Sequence, residues 1–146
     1  MIHHPPTLAS AMTPFPYSIA LDASLDEAEQ LMKAHGIRHL PVTENHDVVG
    51  IVTQRDIAAA FVRRKARGRN TKKMSVSDLY VPEVYLVDLN EPIKNVLKTM
   101  AERHIGSAVV TRQGRLAGVF TFVDACRCFA DFIEDVFPDP GDDRAA

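Results

Sequence analysis

The 146-residue chain is sparing with the features that usually announce a chemistry. It has two cysteines, Cys126 and Cys128, inside a stretch of helical pattern. Residues two apart on a helix point to different sides, so this pair does not form a mutual disulfide, and the usage suits a reducing cytoplasm. No run approaches the ~18 apolar residues that would span a bilayer. Met1-Ile2-His3-His4-Pro5-Pro6 has no basic and apolar run of the leader type. The expectation is a cytoplasmic protein with no membrane partner. Charge of one sign is not in excess either: 17 basic and 19 acidic residues leave a net −2, with no global attraction to nucleic acid. His3-His4 lacks a convergent set of further ligands, so no metal site is expected. The hydroxyls that repeat are paired with carboxylates and not with bases, so neither Ser–His–Asp nor Cys–His catalysis is suggested. The expectation is therefore no enzyme and no obligatory cofactor.

What is present is a duplication. Hydrophobic residues at 46% and charged residues at 25% describe an ordinary globular chain, one compact domain or two halves sharing one core. Offset by 68 residues and without a gap, Gly50 meets Gly118, Thr53 meets Thr121 and Asp56 meets Asp124. The same offset pairs Pro14 with Pro82, Tyr17 with Tyr85, Leu21 with Leu89, Met32 with Met100 and Ile37 with Ile105. Val42, Thr43 and Phe61 likewise meet Val110, Thr111 and Phe129, and most other pairs keep apolar or polar character. Internal repeats of this length define the supersecondary unit from which a fold is built.

Each copy reads as βαββα. Short strands at Tyr17–Leu21 and Tyr85–Leu89 precede amphipathic helices. Ser24 with Glu27 makes a capping box for the first helix, and Leu25, Ala28, Leu31 and Met32 share one face. In the second, Asn90 is the expected cap, Pro92 suits the first turn, and Ile93, Val96, Leu97 and Met100 form the stripe. Gly36 is placed to end the first helix in a left-handed conformation, with His104 at the equivalent point. Strands at His39–Thr43, Val48–Thr53, Ser107–Thr111 and Leu116–Thr121 follow, and a second helix starts after each Thr. The fold class is α/β (α+β), with two βαββα repeats expected to pack about a pseudo-twofold axis.

The element Gly-x-x-Thr-x-x-Asp recurs as Gly50–Asp56 and Gly118–Asp124, where a strand turns into a helix. Free N–H groups and the positive dipole end suit phosphate, a hydroxyl adds a donor, and a carboxylate can accept the hydroxyls of a ribose. Gly is expected to let a ligand approach the backbone. Thr-x-x-Asp ahead of an apolar helix is also a capping box, and that reading stays open for each copy.

Residues 10–130 resemble a tandem pair of cystathionine-β-synthase-type (CBS) domains. The likeness rests on Met12-Thr13-Pro14, on Leu31 through Val42, on Gly50 through Ile57, and on Met100 through Val110 with the matching Gly118–Asp124 run. The chain departs from that pattern at Tyr80-Val81-Pro82, where Met-Thr-Pro is usual, and at Val109, which stands where the first copy has Pro41. The resemblance divides the chain into an arm (1–9), CBS domain 1 (10–64), a basic connector (65–76), CBS domain 2 (77–132) and an acidic tail (133–146). It implies a regulatory adenosine-ligand module, binding AMP, ADP, ATP or S-adenosylmethionine, often as a homodimer acting on an effector protein. Family roles fall on Asp56 and Asp124 as ribose acceptors and on Thr53 and Thr121 as phosphate or ribose contacts. The cleft walls would come from Ile19, Ala20, Val87 and Asp88 with Arg38, His39, Leu40, Gly106, Ser107 and Ala108. Arg38 and Arg55 belong to the first copy, against Gly106 and Val123 in the second, so the Asp56 cleft is expected to be the better nucleotide site. The alternative is that both arginines face solvent.

Residues 63–73 carry Arg63, Arg64, Lys65, Arg67, Arg69, Lys72 and Lys73 with no acid. No aromatic interleaves them for base stacking, so a solvated connector is preferred to nucleic-acid binding. Asp131, Glu134, Asp135, Asp139, Asp142 and Asp143 mirror them, so that in an antiparallel dimer a basic end could meet an acidic one. A dimerisation module with empty clefts is the competing class.

Overall fold

The computed structural model describes residues 4–14, 17–68 and 74–141. Arg69, Lys72 and Lys73 of the basic connector, Asp142 and Asp143 of the acidic tail, and His3 lie outside them. The chain divides into two compact units: Pro16–Tyr85 with Gly114–Leu116, and Met1–Phe15 with Leu86–Gln113 and Ala117–Ala146.

The first of these carries the first repeat. Strand β2 (Ile19–Ala20) runs parallel to β3 (His39–Glu44), which pairs antiparallel with β4 (Asp47–Thr53). Asn45 and His46 turn between β3 and β4 at φ 50° and 71°, the left-handed pair a two-residue hairpin needs. Helix α2 (Leu25–His35) starts with the expected capping box: Glu27 N–H donates to Ser24 Oγ and Ser24 N–H to Glu27 Oε2, both at 3.0 Å. It ends at Gly36 with φ 63°. Leu25, Ala28 and Met32 of α2 pack with Leu40, Val42 and Val52 of the sheet and with Ile57 and Ala60 of α3 (Gln54–Ala66). Met74 and Val76, from the end of the connector, complete this core.

The other unit carries the second repeat in a four-stranded sheet of order β1-β7-β6-β5. Its strands are β1 (Thr13–Pro14), β5 (Leu86–Asp88), β6 (Ser107–Arg112) and β7 (Arg115–Thr121). Ile93, Val96 and Met100 of α4 (Ile93–Arg103) are buried together with Val109, Val110 and Phe120 of the sheet. His104 closes α4 at φ 53°, the conformation Gly36 adopts in the first repeat. Helices α1 (Leu8–Ala11) and α5 (Phe122–Val136) complete the unit, with Leu8 buried.

Three expectations are corrected. The strands expected at Tyr17–Leu21 and Tyr85–Leu89 shrink to Ile19–Ala20 and Leu86–Asp88. Tight turns closed by Ala23 N–H to Ala20 O and Glu91 N–H to Asp88 O follow at once. Asn90 is not the cap of α4: its N–H donates to Asp88 Oδ1 at 2.9 Å inside that turn, and Pro92 takes the N-cap position. The acidic segment is not all tail, since α5 runs to Val136 and includes Glu134 and Asp135.

The segment ahead of each repeat joins the last strand of the other. Thr13 and Pro14 pair antiparallel with Val119 and Gly118 of β7. Val81 bridges Ile51 of β4 through Ile51 N–H to Val81 O (3.0 Å) and Val81 N–H to Ile51 O (2.8 Å). This accounts for the repeated glycine. A Cβ on Gly50 would stand 2.5 Å from Val81 O, and one on Gly118 would stand 2.7 Å from Thr13 O. The glycines make room for a crossing strand, which corrects the expectation that they open the backbone to a ligand.

Candidate functional site

The two Thr-x-x-Asp turns occupy the expected place, the junctions β4–α3 and β7–α5. Each Thr is the N-cap in extended conformation and each accepts from the Asp N–H: 3.2 Å for Asp56 to Thr53 Oγ1, 3.4 Å for Asp124 to Thr121 Oγ1. That satisfies one of the free donors of the first helical turn. Arg38 O accepts from Gln54 N–H at 2.9 Å and His39 stands opposite Thr53 in the β3–β4 register, so Arg38 and His39 flank the first turn. Gly106 O accepts from Phe122 N–H at 3.1 Å and flanks the second in the same way, with Ser107 next in the chain.

The carboxylates differ. Asp124 is 4% exposed and fully engaged. Its Oδ2 accepts from Thr121 N–H (2.9 Å) and Thr121 Oγ1 (3.2 Å), while Oδ1 accepts from Thr13 Oγ1 (3.3 Å) and faces Arg127 Nη1 at 3.6 Å. Asp56 is half-buried, and among the described residues its carboxylate has no hydrogen bond or ion pair. The cause is legible at the 68 offset. Val81 stands where Thr13 supplies a hydroxyl, and Ala59 stands where Arg127 supplies a guanidinium. Capping thus consumes the second carboxylate and leaves the first available.

The remaining expected wall residues fall into two groups. Arg38 and Arg55 are exposed beside the Thr53 turn, and His39 and Ser107 are half-buried. Leu40 and Ala108 at 0% and Val87 at 6% exposure are core side chains, so only their main chain is available to a ligand. Ile19 and Ala20 pair with Val42 and Thr43, two to four residues along β3 from His39 and Leu40, or roughly 7–13 Å at the strand rise. Val87 and Asp88 pair likewise with Val110 and Thr111 of β6.

Thr13 and Arg127 were not singled out from the sequence. The signals for them were the contrast between Met12-Thr13-Pro14 and Tyr80-Val81-Pro82, and the i, i+3 spacing of Asp124 and Arg127. A groove of about 700 Å³ opens beside Asp124, lined among others by Met12, Thr13, Arg127, Asp131, Phe132 and Asp135. Cys128 also borders it. Burial first, and the Asp131 carboxylate second, push its thiol above the ordinary value, which leaves it a poor nucleophile. Among the described residues no three His, Cys, Asp or Glu side chains gather as a metal site, and no helix is long and apolar enough to cross a membrane.

The comparisons with known proteins agree with the two-repeat fold. The CBS domain family model matches residues 8–63 and 76–131, and the chain belongs to that family. Hypoxic response protein 1 of Mycobacterium tuberculosis is 30% identical over 105 residues, 71% of either chain. L-aspartate semialdehyde sulfurtransferase of Methanocaldococcus jannaschii is 29% identical over 116 residues, which cover 78% of this chain but 21% of that enzyme. Among solved structures, the CBS domain pair of protein MJ0100 in complex with 5′-methylthioadenosine and S-adenosyl-L-methionine superposes with a TM-score of 0.73 at 25% identity. That match covers 85% of this chain and 99% of the other.

Proposed function

We propose that this chain is a regulatory module with no catalysis of its own, which binds an adenine nucleotide at the Thr53–Asp56 turn. The available Asp56 carboxylate carries the reading, because a ribose needs an acceptor that the protein has not already satisfied. With Gln54 N–H and Asp56 N–H already engaged, the Arg55 N–H and the positive end of α3, with the Arg38 and Arg55 side chains beside it, supply a phosphate donor and positive charge. The groove at Asp124 has the opposite character. Its carboxylate is already engaged, and Asp131 and Asp135 would repel phosphate, so the groove does not suit a nucleotide. Regulation follows if the ligand has unequal affinity for two arrangements of the protein, one of which a partner reads.

Isothermal titration calorimetry with AMP, ATP and S-adenosylmethionine tests the assignment. AMP or ATP binds, Asp56→Ala lowers the affinity about 10- to 100-fold, and Arg55→Ala weakens ATP more than AMP. Absence of heat from all three at millimolar concentration would overturn the proposal.

A further inference from the structure

Helix α5 ends against the electrostatics of its own backbone. The C-terminal end of a helix carries partial negative charge and favours cations. The three other long helices comply: the last turns of α2, α3 and α4 hold Lys33 with His35, Arg63 with Arg64 and Lys65, and Arg103. The last turn of α5 has no basic residue and holds Glu134 and Asp135 instead. Asp131 and Asp135 also stand one turn apart, a like-charge pair that repels. Among the described residues neither of these two carboxylates has a hydrogen bond or an ion pair, and the nearby Arg127 faces Asp124. A local cost with no local compensation marks a surface kept for something outside the chain.

Both carboxylates border the groove of about 700 Å³, which is otherwise lined largely by apolar side chains, among them Met12, Pro14, Phe132 and Val136. Phe132 is 47% exposed there. From Asp124 to Val136 the groove follows α5 for ~18 Å, the reach of an extended segment of roughly five or six residues. Asp131 and Asp135 are ~6 Å apart along the helix axis, close to the ~6.6 Å between side chains i and i+2 of an extended chain. Those two side chains point the same way, so an Arg-x-Arg pattern sets one guanidinium on each carboxylate. Phe132 adds an aromatic face on which a guanidinium stacks. We propose that this groove docks an extended Arg-x-Arg segment of a partner protein, whose flanking apolar residues cover Phe132 and Val136. Every residue of the groove belongs to the unit of the second repeat, so docking does not depend on a nucleotide at the Asp56 turn.

Fluorescence anisotropy of the full chain with the labelled peptide Leu-Arg-Ala-Arg-Leu-Gly tests it, with circular dichroism to confirm that each variant is folded. The wild type binds with a Kd of about 10–100 µM, as two charge-assisted pairs over a small apolar contact allow. Asp131→Asn with Asp135→Asn lowers the affinity roughly tenfold or more and, by removing the like-charge pair, leaves Tm unchanged or raised. Phe132→Ala lowers the affinity about fivefold. Asp47→Asn with Glu102→Gln, two exposed acids outside the groove, leaves it unchanged. No binding at about 1 mM chain overturns the proposal. So does an affinity that the Asp131 and Asp135 variant leaves unmoved, or that the Asp47 and Glu102 variant lowers equally, since net charge alone then suffices. Spermidine displacing the peptide at the peptide's own concentration overturns it in favour of a small cation. Binding that appears only after Arg63→Gln with Arg64→Gln overturns it in favour of the chain's own basic end.

Discussion

Asp56 and Asp124 occupy equivalent turns, yet one carboxylate is a structural acceptor and the other is available. An amide in place of the Asp124 carboxylate keeps one acceptor oxygen and turns an NH2 toward either the Thr121 N–H or the Thr13 hydroxyl, which costs about 1–3 kcal/mol. Asp124→Asn is therefore expected to lower the urea midpoint by that equivalent, while Asp56→Asn stays within about 0.5 kcal/mol of wild type, because the Asp56 carboxylate holds no hydrogen bond or ion pair among the described residues. Equal losses in the two variants would remove the distinction between the turns. This difference was half-legible in the sequence. The repeated Thr-x-x-Asp was visible, and so was the Thr13/Val81 contrast, but a hydrogen bond between residues 111 apart depends on how the chain is threaded. Leu40, Ala108 and Val87 show the same limit, since family pattern places them at the cleft while burial assigns their side chains to the cores.

At the scale of elements, the sequence pattern carried most of the fold. The Ser24–Glu27 box, the left-handed Gly36 and His104, and the α2 and α4 stripes appear where local chemistry puts them, except that Leu97 of the α4 stripe is exposed. Boundaries failed where a side chain intervened, as Asp88 does in taking the Asn90 N–H. The glycines of β4 and β7 were found for the wrong reason, because their neighbour is a strand distant in sequence. That contact gives a direct test. Gly50→Ala and Gly118→Ala force a backbone oxygen to shift and are expected to destabilise by about 1–3 kcal/mol. His104→Gly relieves a residue held at φ 53° and is expected to stabilise by about 0.5–1 kcal/mol. Thermal unfolding of the three variants reads both signs.

For the whole molecule, the compact units do not follow the linear order of the repeats. Leu8, ahead of the first repeat, is 1% exposed within the unit of the second. Leu8→Ala is expected to cost about 2–4 kcal/mol. Its effect on hydrogen exchange falls on β7 and α5, more than 100 residues away in sequence, and spares α2, which is its sequence neighbour. Faster exchange confined to α2 would contradict the crossed arrangement.

The crossing has a consequence for synthesis. Strand β1 leaves the ribosome about 105 residues before its partner at Gly118 and Val119. At 5–20 residues per second, Leu8 and the edge of Thr13–Pro14 wait roughly 5–20 seconds without their native cover. Val81, by contrast, emerges 30 residues after Ile51 and closes the first repeat's sheet early. A nascent chain therefore completes the first repeat with the connector, while its own beginning stays unpaired until the second repeat arrives.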